Sequence, residues 1–260
     1  MAQQQGTPYA VQEPPLLRIG SLPRHRVSQQ FGPPGGPLLV GLRQFWGERK
    51  SQRLGAHFRS HDNALAEAAY TRMDGRLFRA INARQAWANT RAIPKTLHRR
   101  APRRPLRAID LASGDGAASA VLAAHLAPGS TVIGLEYAAA LVSLASARAQ
   151  VPGRRTVFHH TSILEPWLNE AAEVLHPGQV DWVNCSGALA HHFTPPQLAT
   201  IAAECARVLR PGGWAVVDAR CPHGRDAVGQ AFLGAGLQLR GHERSCILDR
   251  YPQLCFQAGA

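Results

Sequence analysis

The sequence predicts an α/β fold: a mostly parallel sheet covered by helices on both faces, preceded by a helical segment. Three observations carry that prediction. Residues 105–260 alternate short apolar runs with helical stretches, the pattern of linked strand–helix–strand units. The first run, Leu106 to Leu111, breaks into Ser113-Gly114-Asp115-Gly116 and then a helical stretch, Ala117 to Leu126. The second run, Thr131 to Leu135, ends on an acid, Glu136, twenty residues after Gly116.

Taken in order, residues 1–40 read as a disordered tail without chemistry of its own, because Pro14-Pro15 and Gly32-Pro33-Pro34-Gly35-Gly36-Pro37 interrupt any regular element. Residues 41–104 read as a helical lid. Asn63–Tyr70 and Asp74–Arg91 hold few breakers, and Phe78, Ile81, Gln85 and Ala88 trace one stripe with Trp87 beside it. The Ile93-Pro94 step is expected to end that helix, since the residue before proline is biased away from α. Arg99 to Arg104 reads as a linker.

From 105 onward the strand at 106–111 leads through its glycine turn to a helix, then to the strand ending at Glu136. A helix over Ala138–Gln150, a third strand at Thr156–His159, a short helix at Trp167–His176 and a fourth strand at Val180–Cys185 follow. Thr194-Pro195-Pro196-Gln197 is a capping-box pattern. Behind it Leu198, Ile201, Ala202, Cys205 and Val208 mark the clearest amphipathic helix in the chain. A strand at Trp214–Asp218, a helix at Asp226–Leu233 and two closing strands, 237–243 and 252–258, complete seven strands.

Bulk properties bound the function. The 260 residues suit one α/β domain with an appendage. No apolar run approaches the ~18–20 residues that span a membrane, and Met1-Ala2-Gln3-Gln4-Gln5 lacks the plan of a signal peptide. Five scattered cysteines without a Cys-x-x-Cys pair suit reduced thiols in a cytoplasmic protein. The net charge of +12 is uneven: residues 1–107 carry 19 Lys and Arg against 5 acids, and residues 108–260 carry 10 against 12. A basic arm is the footprint of a nucleic-acid binder. Without an aromatic platform on which bases could stack, a solvated helical face is the favoured reading, and a nucleic-acid partner is the less favoured one.

The stretch Asp110-Leu111-Ala112-Ser113-Gly114-Asp115-Gly116 resembles the first motif of the class I S-adenosylmethionine-dependent methyltransferases, an acid followed by Gly-x-Gly-x-Gly, with Ala112 in place of the first glycine. A dinucleotide fingerprint would need Gly-x-Gly-x-x-Gly, and Ser119 stands where its last glycine belongs. The block from Asp181 to Asp218, with Ser186-Gly187, His191-His192 and Arg210-Pro211-Gly212-Gly213, resembles the same family. The resemblance implies a Rossmann-like sheet, S-adenosylmethionine as cofactor and methyl transfer by direct displacement, here to a small organic acceptor, with an RNA acceptor as the alternative.

The resemblance also implies roles. Asp110 would hold the methionine amino end, with Ala112, Ser113, Gly114 and Gly116 giving close backbone contact, and Glu136 would hold the ribose. Tyr137 would lie against the adenine. Ser162 or the backbone at Ile163 would meet the adenine edge, where the family commonly has an acid. Cys185 and Ser186 would line the methionine side. His191 and His192, indistinguishable in sequence, are the candidates for a general base. No metal site is expected, because His159-His160 has no third ligand in view.

Overall fold

The computed structural model describes residues 32–55, 62–148, 150–218, 222–246 and 252–259. Most of the expected tail, and Cys221, lie outside them. Four helices come first: α1 (Pro37–Arg53), α2 (Asn63–Thr71), α3 (Gly75–Ile81) and α4 (Ala83–Arg100). The α/β unit follows as β1 (Arg107–Leu111), α5 (Ala117–His125), β2 (Thr131–Glu136), α6 (Ala139–Ser146), β3 (Arg155–His160) and β4 (Val180–Cys185). It closes with α7 (Leu189–His192), α8 (Pro195–Val208), β5 (Leu209–Asp218), α9 (Pro222–Gly234), β6 (Gln238–Glu243) and β7 (Gln253–Gln257).

The seven strands form one sheet in the order β3-β2-β1-β4-β5-β7-β6. β1 to β5 are parallel, and β7 runs antiparallel between β5 and β6. Both faces are covered, so the central strands are apolar on both sides. Ile109, Ile133 and Val183 pack with Ile201 of α8 and Phe232 of α9. Their sequence neighbours Ala108, Val132 and Trp182 pack on the other face with Val121 and Leu122 of α5 and Ile93 and Leu97 of α4. The direction of strand order reverses at β1, which pairs with β2 on one side and β4 on the other. Ligands of open α/β sheets bind at that switch point, beyond the carboxyl ends of the strands.

Five expectations are corrected. α1 begins at Pro37, inside the stretch read as tail, because proline suits a first helical turn. α4 runs through Pro94 to Arg100. A proline in a helix interior costs ~3 kcal/mol, and burying Ile93 and Leu97 against the sheet offsets it at about 1.5–3 kcal/mol each. The stretch read as one helix over 74–91 is two, broken at Asn82, whose side chain caps the Phe78 carbonyl. Residues 167–176 form turns and a single bridge, Leu168 to Val174, not a helix. The Asn169 carboxamide oxygen accepts from the Ala171 and Glu173 backbones, offering them an alternative to helix. The helix expected to reach Gln150 also stops at Ser146, and Arg148 turns instead to Asp115.

The helical layer lies on the α/β unit through apolar contacts and ion pairs. Tyr70, Met73 and Leu77 pack with Ala138 and Leu141 of the α6 region. Arg79 pairs with Asp115, Arg99 with Glu243 and Arg104 with Asp181, each arginine partly exposed and each acid buried.

Candidate functional site

The glycine turn after β1 and the end of β2 are tied together by one carboxylate. Glu136 Oε2 accepts from the Gly114 amide at 2.8 Å, and Oε1 accepts from the Ala138 amide at 2.9 Å. Beside it, buried Asp110 accepts from Ser119 Oγ at 2.5 Å and Asn184 Nδ2 at 2.7 Å. Burial pushes Asp110 up to about 6 and Glu136 up to about 7, with the hydrogen bonds to each opposing that rise. Each carboxylate oxygen keeps a second lone pair for a ligand. Ser113 Oγ, also buried, has no hydrogen-bond partner among the described residues.

Gly114 has φ +57°, and a Cβ there would lie 2.8 Å from the Phe78 ring. Ala112 also sits in the left-handed region, at φ +49°, which costs an L-residue about 1–2 kcal/mol. The alanine in place of a glycine is therefore strained. Ala112→Gly is expected to stabilise the protein by about 0.5–1 kcal/mol, since glycine's greater freedom when unfolded takes back part of the relief. A thermal melt should rise by about 2 °C; an unchanged or lower midpoint would show that the position carries no strain.

These groups open onto a cavity of about 570 Å³ between the sheet's carboxyl edge and the helical layer, within the range of small-molecule sites. From the sheet side Asp110, Ala112, Ser113, Gly114, Glu136, Tyr137 and Ser186 line it. Of the two histidines, His192 lines it and His191 does not. Gly116 faces away, where a Cβ would meet Phe158 and Ala145. The end of β3 also stays off the cavity. Ser162 Oγ accepts from the Leu164 amide, and the Ile163 carbonyl accepts from the Trp167 indole. Cys185 is wholly buried, and burial raises its thiol pKa.

The far wall comes from residues that the sequence hid. Tyr70, Phe78, Asn82, Gln85 and Asn89 reach in from α2, α3 and α4, and Gly32, Pro33 and Pro34 close one edge. Those last three fall in the stretch read as having no chemistry. Tyr70 Oη and His192 Nε2 lie 3.3 Å apart, joining the two walls. Gln85 Nε2 donates to both Asn89 Oδ1 and buried Asp218, at 2.9 and 2.7 Å. Asp115 accepts from Arg79 Nε and Arg148 at 3.0 and 2.5 Å. Only the reading of residues 41–104 as a helical lid, with Phe78 and Gln85 on one stripe, pointed to this wall.

A family model described as a methyltransferase domain matches residues 108–213. Over that stretch the α/β unit is similar to methyltransferase domains, and its fold is that of S-adenosylmethionine-dependent methyltransferases. A ubiquinone biosynthesis O-methyltransferase from Thiobacillus denitrificans is 29% identical over 115 residues, covering 44% of each chain, so the match spans under half of that curated relative. The methyltransferase domain shares its fold with a TehB-like methyltransferase from Corynebacterium glutamicum, with TM-score 0.50, 16% identity and coverage of 64% of this chain and 87% of that one. The [4+2]-cyclase SpnF is similar at TM-score 0.51 and 16% identity, covering 69% and 82%. A methyltransferase-type fold therefore serves more than one reaction, and the chemistry has to be argued from the site.

Proposed function

We propose that the protein is an S-adenosylmethionine-dependent methyltransferase that methylates a small organic acceptor through oxygen. The observation that carries this reading is the two-walled cavity, with strand-end carboxylates and a glycine turn on one side and polar helical side chains on the other. The residues present fit the cofactor. Glu136 would take the ribose hydroxyls and Asp110 the ammonium group. Tyr137, Leu141 and Leu144 offer an apolar wall for the base. Ser113 Oγ is a buried polar atom lacking a partner, and Gly114 lets the backbone come close.

Bound S-adenosylmethionine supplies an activated methyl group, so the protein's main task is alignment, which can be worth roughly 7–11 kcal/mol. Gln85 and Asn89, held by Asp218, would orient the acceptor's polar groups. His192, steadied by Tyr70, would take the proton of an acceptor hydroxyl as its oxygen gains the methyl. The O-methyltransferase relative supports oxygen as the acceptor atom. The pairing of Arg79, Arg99 and Arg104 with buried acids supports a small acceptor over RNA, since those cations are already engaged within the molecule.

The test is transfer of labelled methyl from S-adenosylmethionine into a cell extract, followed by fractionation. Label is expected in the small-molecule pool, in a product stable to base as an ether is. Label confined to RNA or protein would overturn the acceptor class, and no transfer above the protein-free control would overturn the activity.

A further inference from the structure

Helix α1 is inside out. Its inward face is made of Val40, Gly41, Gly47 and Ser51, all buried, and a Cβ at Gly47 would lie 2.8 Å from that of Ala80. Its large apolar side chains point the other way. Leu38 is 85% exposed, Trp46 63%, Leu39 58% and Leu42 57%, with Phe45 close behind. A surface helix ordinarily buries its large apolar residues and exposes its small and polar ones. Contiguous exposed apolar surface of this kind marks an interaction site.

Charge selects the occupant. The helix carries Arg43, Arg49, Lys50 and Arg53 against one acid, Glu48, which is half-buried and accepts from Gln44. With 100° between successive residues, Arg49 and Arg53 continue the outward stripe begun by Leu38, Leu42, Phe45 and Trp46. The Arg49 guanidinium lies over the Phe45 ring at 5.2 Å. A second copy related by a two-fold axis would bring these cations against their own kind. Residues 1–31 are net positive too, with Arg18, Arg24 and Arg26 against Glu13. Aromatic and leucine side chains flanked by cations suit the headgroup region of an anionic bilayer.

We propose that α1 docks the protein on an anionic membrane surface, lying in the interface plane. No described helix is long and apolar enough to cross a membrane, and interfacial docking requires none. Arg43 of this helix lines the cavity, as do Gly32 to Pro34 just before it, so the docked face adjoins the cavity's rim. Docking stands apart from the catalytic reading and is tested without turnover.

The full chain is sedimented with phosphatidylcholine vesicles, with and without phosphatidylglycerol. Binding is expected on the anionic vesicles and should fall as salt rises. The double variant Leu42→Glu, Trp46→Glu should lose about tenfold or more in partitioning, with an unchanged melting temperature because both side chains are exposed. Arg49→Gln with Arg53→Gln should remove the preference for anionic lipid. The proposal is overturned if no vesicle is bound or if the double variant binds equally well. It is also overturned by a dimer that this variant dissociates, or by salt-sensitive binding to RNA and not to vesicles.

Discussion

Replacing Glu136 with alanine is expected to abolish the thermal stabilisation that S-adenosylhomocysteine gives the wild-type protein. The carboxylate closes the glycine turn and faces the cavity, so its loss removes both the partner proposed for the ribose and the brace on Gly114. The Gly114 and Ala138 amides lose their acceptor at about 1–3 kcal/mol each, offset in part by relief of a buried charge. Glu136→Gln is the sharper comparison, because it keeps the volume and one acceptor oxygen. It should retain the fold, bind weakly and lose the part of the pH dependence that comes from Glu136, keeping the smaller part from Asp110.

That dependence has a defined sign. Glu136 and Asp110 have folded values of about 7 and 6, raised by burial above the ordinary carboxylate range. Between the unfolded and folded values the native state holds protons that the unfolded chain releases, so ligand-free stability falls as pH rises through about 4 to 7. A ligand that requires the ionised carboxylates binds more tightly over the same window. Between pH ~5.5 and ~8, ionisation of Glu136 alone gives roughly 30-fold in affinity. Calorimetry should show proton release on binding below pH ~7. A full shift in Glu136→Ala, or affinity independent of pH, would remove this carboxylate from the site.

His192→Ala is expected to lower turnover by about 10²–10⁴-fold, the range for loss of a general base, whereas His191→Ala should leave it near wild type. The structure separates two residues that look alike in sequence: His192 faces the cavity beside Tyr70, and His191 does not line it. Tyr70→Phe should cost less, about tenfold, because it removes the partner that orients the imidazole and leaves the imidazole in place. Cofactor affinity should be unchanged in all three. Turnover of His192→Ala equal to wild type would exclude His192 as the base.

Much of the α/β unit was legible in the sequence because its signals are local. A strand that breaks into glycine, an acid at the next strand's tip and the i, i+3, i+4 pattern after Thr194 each lie within a few residues. The rest depends on contacts far along the chain. Nothing near Pro94 says that Ile93 and Leu97 will be buried against the sheet. Nothing near Asp115 points to Arg79 or Arg148, which lie 36 and 33 residues away. The cavity's outer wall reads in the sequence as a helical lid and no more, since helical spacing says which residues share a face and not what that face meets. Ser162 and Ile163 read as cofactor contacts because of their place after the third strand; in the structure the Ser162 oxygen accepts from Leu164 and the Ile163 carbonyl from Trp167.

The pairing of Arg79, Arg99 and Arg104 with Asp115, Glu243 and Asp181 bears on where the chain can be divided. A fragment starting at residue 105 would leave Glu243 without its guanidinium and would leave Asp115 and Asp181 with one each, Arg148 and Arg210. Division there costs the α/β unit three ion pairs, of which the one at Glu243 has no replacement among the described residues. Grafting the unit onto a different leader would require at least the Arg99 guanidinium, the partner of Glu243, to travel with it.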